Sequence, residues 1–163
     1  MIELNVYAVL YSLLSRHRIV LLKEVLGERY LPVWIGQNES EAIAMRLQGA
    51  VVPRPLTHDL LASVIAELGG DVQYVLINDL QNSIFYARLA IQHDGTLQMI
   101  DSRPSDAIAL AVRVDAPIYV AEEVLDKAGI TPSPDIRHGG GGEDDLDVFR
   151  DFVDNLDLGD LEN

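Results

Sequence analysis

Two stretches of this sequence, Ser40-Glu41-Ala42-Ile43-Ala44 and Ser105-Asp106-Ala107-Ile108-Ala109, repeat one another 65 residues apart. Each follows directly on a strand pattern and opens a helical one, so the chain must build the same strand-to-helix junction twice. The same offset sets Ile19 on Ile84 and Ile35 on Ile100. A few matched small and apolar residues arise cheaply by chance; the shared order of elements around them is what favours an internal duplication.

Apolar alternation predicts strands at Leu4 to Leu14, Ile19 to Val25 and Tyr30 to Ile35, then a helix from about Glu39 to Gln48 with acids in its first turn and Gly49 just past its end. The second half predicts strands at Gln73 to Asn78, Ile84 to Ile91 and Thr96 to Ile100, the last two joined by a His93-Asp94-Gly95 turn, and a helix from about Ser105 to Val114. After each helix a short extended piece leads to a second one, Thr57 to Leu68 and Ala121 to Ala128. The fold class predicted is α+β: duplicated β-β-β-α units, in halves of about 1–70 and 71–130, with additional short strands and helices and an approximate two-fold relation. Unprotected sheet edges favour a homo-oligomer, a dimer first.

Beyond residue 130 the composition changes. Thr-Pro-Ser-Pro followed by Gly139 to Gly142 makes residues 131–144 a linker, and Leu146, Phe149, Phe152, Val153 and Leu156 recur at helical spacing in the acidic segment 145–163. An amphipathic helix is predicted from about Asp145 to Leu156, docked on its own domain, on a neighbouring subunit or on a separate protein.

Charge and cysteine content narrow the chemistry. The formal net charge is -14, of which residues 139–163 carry -8, and the remaining -6 is spread without any basic block. That argues against strong non-specific duplex binding, whose affinity comes from many Lys and Arg contacts to phosphate. With no cysteine there is no disulfide, thiolate nucleophile or zinc-thiolate site. No apolar run has the length of a membrane span, and the start lacks a basic n-region and a cleavage site; a cytoplasmic protein with no membrane partner is the expectation.

Three stretches resemble the bifunctional nuclease family, a bacterial and plant group of small proteins described as acting on both DNA and RNA. They are Leu31-Pro32-Val33-Trp34-Ile35-Gly36 running into Glu39-Ser40-Glu41-Ala42, then Arg54-Pro55-Leu56-Thr57-His58-Asp59, and Asp101-Ser102-Arg103-Pro104-Ser105-Asp106-Ala107. Their order and spacing carry the resemblance over about residues 1–130, and Phe149-Arg150-Asp151-Phe152-Val153 is similar to the family's C-terminal helix. The resemblance implies a nuclease domain of α+β fold with nucleic acid, single-stranded or loosely structured, as its partner.

Phosphodiester hydrolysis needs an activated water and positive charge on the phosphoryl oxygens. Asp101 at a strand end and Asp106 in the following helical turn are candidates for one cleft, with Glu41 at the equivalent place in the first half, and such carboxylates suit Mg²⁺ or Mn²⁺. Arg103 and Arg54, in the two Arg-Pro elements, suit bidentate phosphate contact. His58 is the best general acid or base on offer. Each has a structural competitor. Asp106 and Glu41 also complement helix dipoles; Arg103 and Asp101 also suit an ion pair with each other or across the repeat; His58 and Asp59 suit an exposed first helical turn; Trp34 and Tyr30 suit the core or an interface more than base stacking. The leading expectation is a metal-assisted nuclease with His58, Asp101, Arg103 and Asp106 at its centre. The alternative is a non-enzymatic regulatory or interaction module of the same fold.

Overall fold

The computed structural model describes residues 1–11 and 16–131. Eleven elements follow in order: β1 (Ile2–Tyr11), β2 (Arg18–Glu24), β3 (Tyr30–Ile35), α1 (Gln37–Leu47), α2 (Thr57–Glu67), β4 (Asp71–Gln81), β5 (Ile84–His93), β6 (Thr96–Ser102), α3 (Pro104–Val114), β7 (Ile118–Val120) and α4 (Glu122–Ala128). The fold is mixed α+β, and among the described residues none of the helices is long and apolar enough to cross a membrane. The predicted linker and the tail helix at Asp145 to Leu156 lie almost wholly outside the described residues.

All the strands join one seven-stranded sheet in the order β3-β2-β1-β7-β4-β5-β6. Each half supplies a three-stranded antiparallel meander, and the three residues of β7 close the gap by pairing antiparallel with β1 and parallel with β4. The sequence marks β7 only as a short extended piece, yet Ile118 and Val120 are buried and the continuity of the sheet depends on it. The corresponding piece before α2, residues 50–56, forms no strand.

Pairing also shows where a uniform 65-residue offset stops. Ile19 lies opposite Trp34, but Met99, the residue 65 beyond Trp34, lies opposite Ala90 and not Ile84. The connections explain the slip. β2 and β3 are joined through Val25 to Arg29, whereas β5 and β6 turn over only Asp94 and Gly95, both at positive φ (48° and 74°) as a tight type I′ hairpin requires. In the two helices the repeated residues do serve alike: Ser40, Ala42 and Ile43 are buried in α1, and Ser105, Ala107 and Ile108 in α3.

Alternation along the strands sends Val20, Leu22, Leu31, Val33, Val75, Ile77 and Leu89 into the main core with the helices. Leu10, Ile19, Leu21 and Tyr30, with Trp34 packed against them, form a separate cluster. Helix α3 is the centre of the main core. Ala107, Ala109 and Ala111 are at most 1% exposed, and their small side chains let the sheet, α1 and α2 all approach closely. Pro104 opens α3 at a position where a fixed φ helps and the missing N–H costs nothing.

One charged side chain ties the helical layer together. Arg113, 5% exposed, donates to Asp59 Oδ1 at 2.6 Å, to Ala109 O at 2.7 Å and to Ala42 O at 3.1 Å, so a single guanidinium bonds α2, α3 and α1. Asp59 is fixed from its other oxygen by the Leu56 N–H at 2.8 Å, which caps the start of α2. That backbone bond and the Arg113 guanidinium hold its carboxyl below the usual range, against the opposing effect of burial. Because Asp59 is depressed in the folded state, the stability it contributes is present above the unfolded value of about 3.9 and lost as pH falls through the folded one.

Arg113→Ala and Asp59→Ala are each expected to lower unfolding free energy by about 3 kcal/mol, since each strands the other's buried partner atoms. Urea unfolding of the double variant should cost clearly less than the sum of the two, because both remove one interaction. Loss of stability below about pH 4 should be shallower in Asp59→Asn than in wild type.

Candidate functional site

Helices α1 and α3 run side by side in the same direction. Arg103 at the start of α3 meets Glu39 in the first turn of α1, and Arg46 in the last turn of α1 donates to Val112 O and Arg113 O at the end of α3. Two helix N-termini therefore open at one place. The first turn of α2 crosses α3 beside them: His58 reaches Asp106 while its neighbour Asp59 reaches Arg113, and residues 106 and 113 lie on one helix face a heptad apart.

At this place four side chains form a chain of bonds. His58 Nε2 lies 2.9 Å from Asp106 Oδ1; Arg103 Nε donates to Asp106 Oδ2 at 2.8 Å; and Arg103 Nη2 donates to Glu39 Oε1 at 2.6 Å. The burial is graded. The His58 side chain is 10% exposed, Glu39 13%, Asp106 28% and Arg103 67%, so the carboxylates and the imidazole lie beneath a guanidinium that faces outward. Burial pushes the Asp106 carboxyl up, but the bonds from Arg103 and His58 outweigh it and hold it below the usual range. Arg103, bonded first by Asp106 and then by Glu39, is held more firmly protonated than a free arginine. Gly36 caps α1 at this point, and the Glu39 carboxylate folds back into the space that a Cβ on Gly36 would occupy.

Of the residues predicted from sequence, the structure brings together His58, Arg103 and Asp106. Asp101 is exposed on β6 across from Arg88, and no bond joins it to Asp106. Arg103 pairs across the two halves with Glu39 instead of with Asp101. Glu41 accepts from Gln37 Nε2 at 2.9 Å and lies 3.8 Å from Arg18, away from the cluster. Arg54 stands exposed in the segment before α2 and is not joined to it either. His58 is buried, not on an exposed helical turn, because α2 turns its first residues onto α3. Glu39 was not among the predicted residues. Its signal is positional, since it is the third helical residue of α1 as Asp106 is of α3.

The donor set bears directly on Mg²⁺ or Mn²⁺. Among the described residues no three His, Asp or Glu side chains converge as a metal-ligand group. Glu39 and Asp106 both face the Arg103 guanidinium, which supplies between them the positive charge a divalent ion would bring. The residues present thus do not make a ready metal site. What they do make is a rigidly held cation with donors left over: a guanidinium has five N–H groups, and the Nε and Nη2 bonds use two of them.

Carbon-detected NMR titration of the Asp106 carboxyl should show it protonating at lower pH than an ordinary aspartate in the wild type. In Arg103→Ala and in His58→Ala the value should rise, because burial is then less opposed.

This cluster falls inside a match to the family model described as the bifunctional nuclease domain, which spans residues 20–133. An uncharacterized protein of Mycobacterium tuberculosis is 44% identical over 141 residues, covering 85% of this chain and 84% of the relative. Bifunctional nuclease 1 of Oryza sativa subsp. japonica is 27% identical over 124 residues, covering 72% of this chain and 38% of the relative. Bifunctional nuclease 2 of the same rice is 30% identical over 115 residues, covering 69% and 35%. The chain thus spans little more than a third of the rice proteins and most of the mycobacterial one. With the family model matched over most of its length, this chain belongs to the bifunctional nuclease domain family.

Proposed function

We propose that this protein is a nuclease-like protein that acts on the phosphodiester backbone of DNA and RNA, with Arg103 as the phosphate-binding residue. The observation that supports this most is that Arg103, Asp106, His58 and Glu39 form one bonded cluster within the matched family region, and that its outward-facing member is the cation. In this reading water attacks the phosphorus as the bond to the leaving oxygen breaks, and a proton of that water passes to the leaving oxygen. A non-bridging oxygen accepts from the Nη1 edge of Arg103, whose guanidinium stabilises the charge that develops there. Asp106 and Glu39 hold the guanidinium in place. His58 is a positioning residue, since its buried ring fixes Asp106 from behind. The rice relatives' name, bifunctional nuclease, supports the nuclease reading, and the pairing of DNA with RNA follows from the family resemblance.

The second reading is a regulatory or interaction module without catalysis. It is favoured by one specific feature: two carboxylates already neutralise Arg103, and the best acid-base group, His58, is largely sealed from solvent. Either reading accommodates a homodimer formed through the sheet edges, where Leu97 and Ile100 of β6 are exposed, and an ancestral duplication that the helices keep and the strand registers have since lost.

The deciding measurement is cleavage of labelled single-stranded DNA and RNA by wild type, Arg103→Ala, Arg103→Lys and Asp106→Asn, each with Mg²⁺, Mn²⁺ or EDTA. Arg103→Ala should lower kcat/KM by about 10²–10³, the usual effect of removing one charge-stabilising donor. Arg103→Lys should recover little, because an ammonium cannot bond Asp106 and Glu39 in the same plane. Wild-type rates in Arg103→Ala would sink the nuclease site and leave the interaction module.

A further inference from the structure

Beside the cluster lies a cavity of about 800 Å³, bounded by β3 on one side and by the tip of the β4–β5 hairpin on the other. Its volume falls in the range of roughly 300–1,000 Å³ usual for small-ligand sites. Pro32, Trp34 and Ile35 of β3 and Leu80, Ile84 and Phe85 of the hairpin line it, so its lining is largely apolar and includes two aromatic side chains. Polar groups stand at two places. Asn82 and Ser83 form the hairpin turn, both at positive φ (49° and 62°), and Arg103 and Ser105 contribute from the start of α3. Arg103 therefore belongs at once to the ion-pair cluster and to the cavity.

These properties select an occupant. An apolar lining that includes an indole and a phenyl ring suits an aromatic ring, and Asn, Ser and backbone groups suit a ring with donors and acceptors on its edge. The outward guanidinium suits an anion attached to that ring. A nucleobase with its phosphate meets all three requirements. A paired base does not, because its edge and both its faces are already covered in the duplex. The negative charge of the chain points the same way, since it opposes binding that depends on many phosphates and leaves local stacking to supply the affinity. Resting on the nuclease reading above, we infer that this cavity is a binding site for one or two unpaired nucleotides, the base between the β3 and hairpin walls and its phosphate on Arg103. The substrate class is accordingly single-stranded ends and loops, in preference to continuous duplex.

Trp34 is the only tryptophan of the chain, so the protein carries its own reporter. The full chain is titrated with the dinucleotide pTpT, a ten-residue oligothymidylate, thymidine and a poly(dA)·poly(dT) duplex while Trp34 fluorescence is followed. Saturable quenching is expected from pTpT and the oligothymidylate, and none from the duplex at the same nucleotide concentration. Salt should weaken oligothymidylate binding with a log-log slope of about -0.7, the value for a single phosphate contact on a single strand. Arg103→Ala should weaken pTpT by about tenfold or more and leave thymidine unchanged, as loss of one charged phosphate contact predicts. Ile84→Asp, on a side chain 58% exposed and outside the cluster, should weaken both pTpT and thymidine without unfolding the protein.

Absence of quenching by pTpT would overturn the inference, as would equal quenching by the duplex. A Trp34 emission that shifts on deleting residues 139–163 and is indifferent to pTpT would also overturn it, making the cavity the seat of the acidic tail. Cleavage that depends on Arg103 with no pTpT quenching would reject the cavity and keep the nuclease reading. Saturable pTpT quenching with no cleavage would do the reverse.

Discussion

The helical layer depends on the Arg113 guanidinium. A cation 5% exposed would be costly to bury alone, and it is tolerated because Asp59 supplies the opposite charge and two carbonyls, Ala42 O and Ala109 O, accept two of its other protons. The consequence is geometric. The bonds set how far α1 and the first turn of α2 stand from α3, and that spacing brings His58 within 2.9 Å of Asp106 and Glu39 within 2.6 Å of Arg103. The surface cluster inherits its geometry from a buried one. Apolar packing alone, spread over alanine-rich faces, would specify the distance between helices much better than the rotation of one about another.

Much of this architecture was legible locally. Helix α3 was readable from Ser105 to Val114 because its apolar spacing is helical, and the Asp94-Gly95 turn was readable because both residues adopt positive φ with little strain. What was not legible is what joins the halves. β7 is only three residues long, too short for any periodicity, and its role is set by where β1 and β4 leave a vacancy in the ladder. The shared offset of Ile19 and Ile84 does not extend to their pairing partners, because the two hairpins differ in length.

The candidate site divides along the same line. Arg103, Asp106 and His58 could be singled out by residue type, since cation, carboxylate and imidazole at helix starts carry chemistry. Which of them meet could not be. Asp101 and Asp106 are neighbours in sequence, but Asp101 sits on a strand and Asp106 on a helix beyond the N-cap, and they face apart from any shared bond. Glu39 and Arg103, 64 positions apart, are bonded. Sequence proximity pointed to Asp101, and the bonded partner is Glu39, because a strand-to-helix junction redirects the chain within a few residues while two parallel helices bring their first turns together however distant they are in the chain.

On the nuclease reading proposed above, the placement of Arg103 also reconciles the chain's acidity with phosphate chemistry. Net charge acts at long range and is screened beyond about 8 Å in physiological salt, whereas a guanidinium and a phosphate bond at about 2.8 Å. An acidic surface therefore discourages a polyanion from accumulating without preventing one phosphate from docking on a well-held arginine. The two carboxylates that lower the local positive charge also remove the freedom of the side chain. An exposed arginine must give up rotamer entropy to bind, on the order of 1–2 kcal/mol, and one already fixed by Asp106 and Glu39 gives up little. Weaker attraction and smaller ordering cost thus offset one another. On that reading the balance favours a ligand that presents a single phosphate at a defined angle over one that offers many.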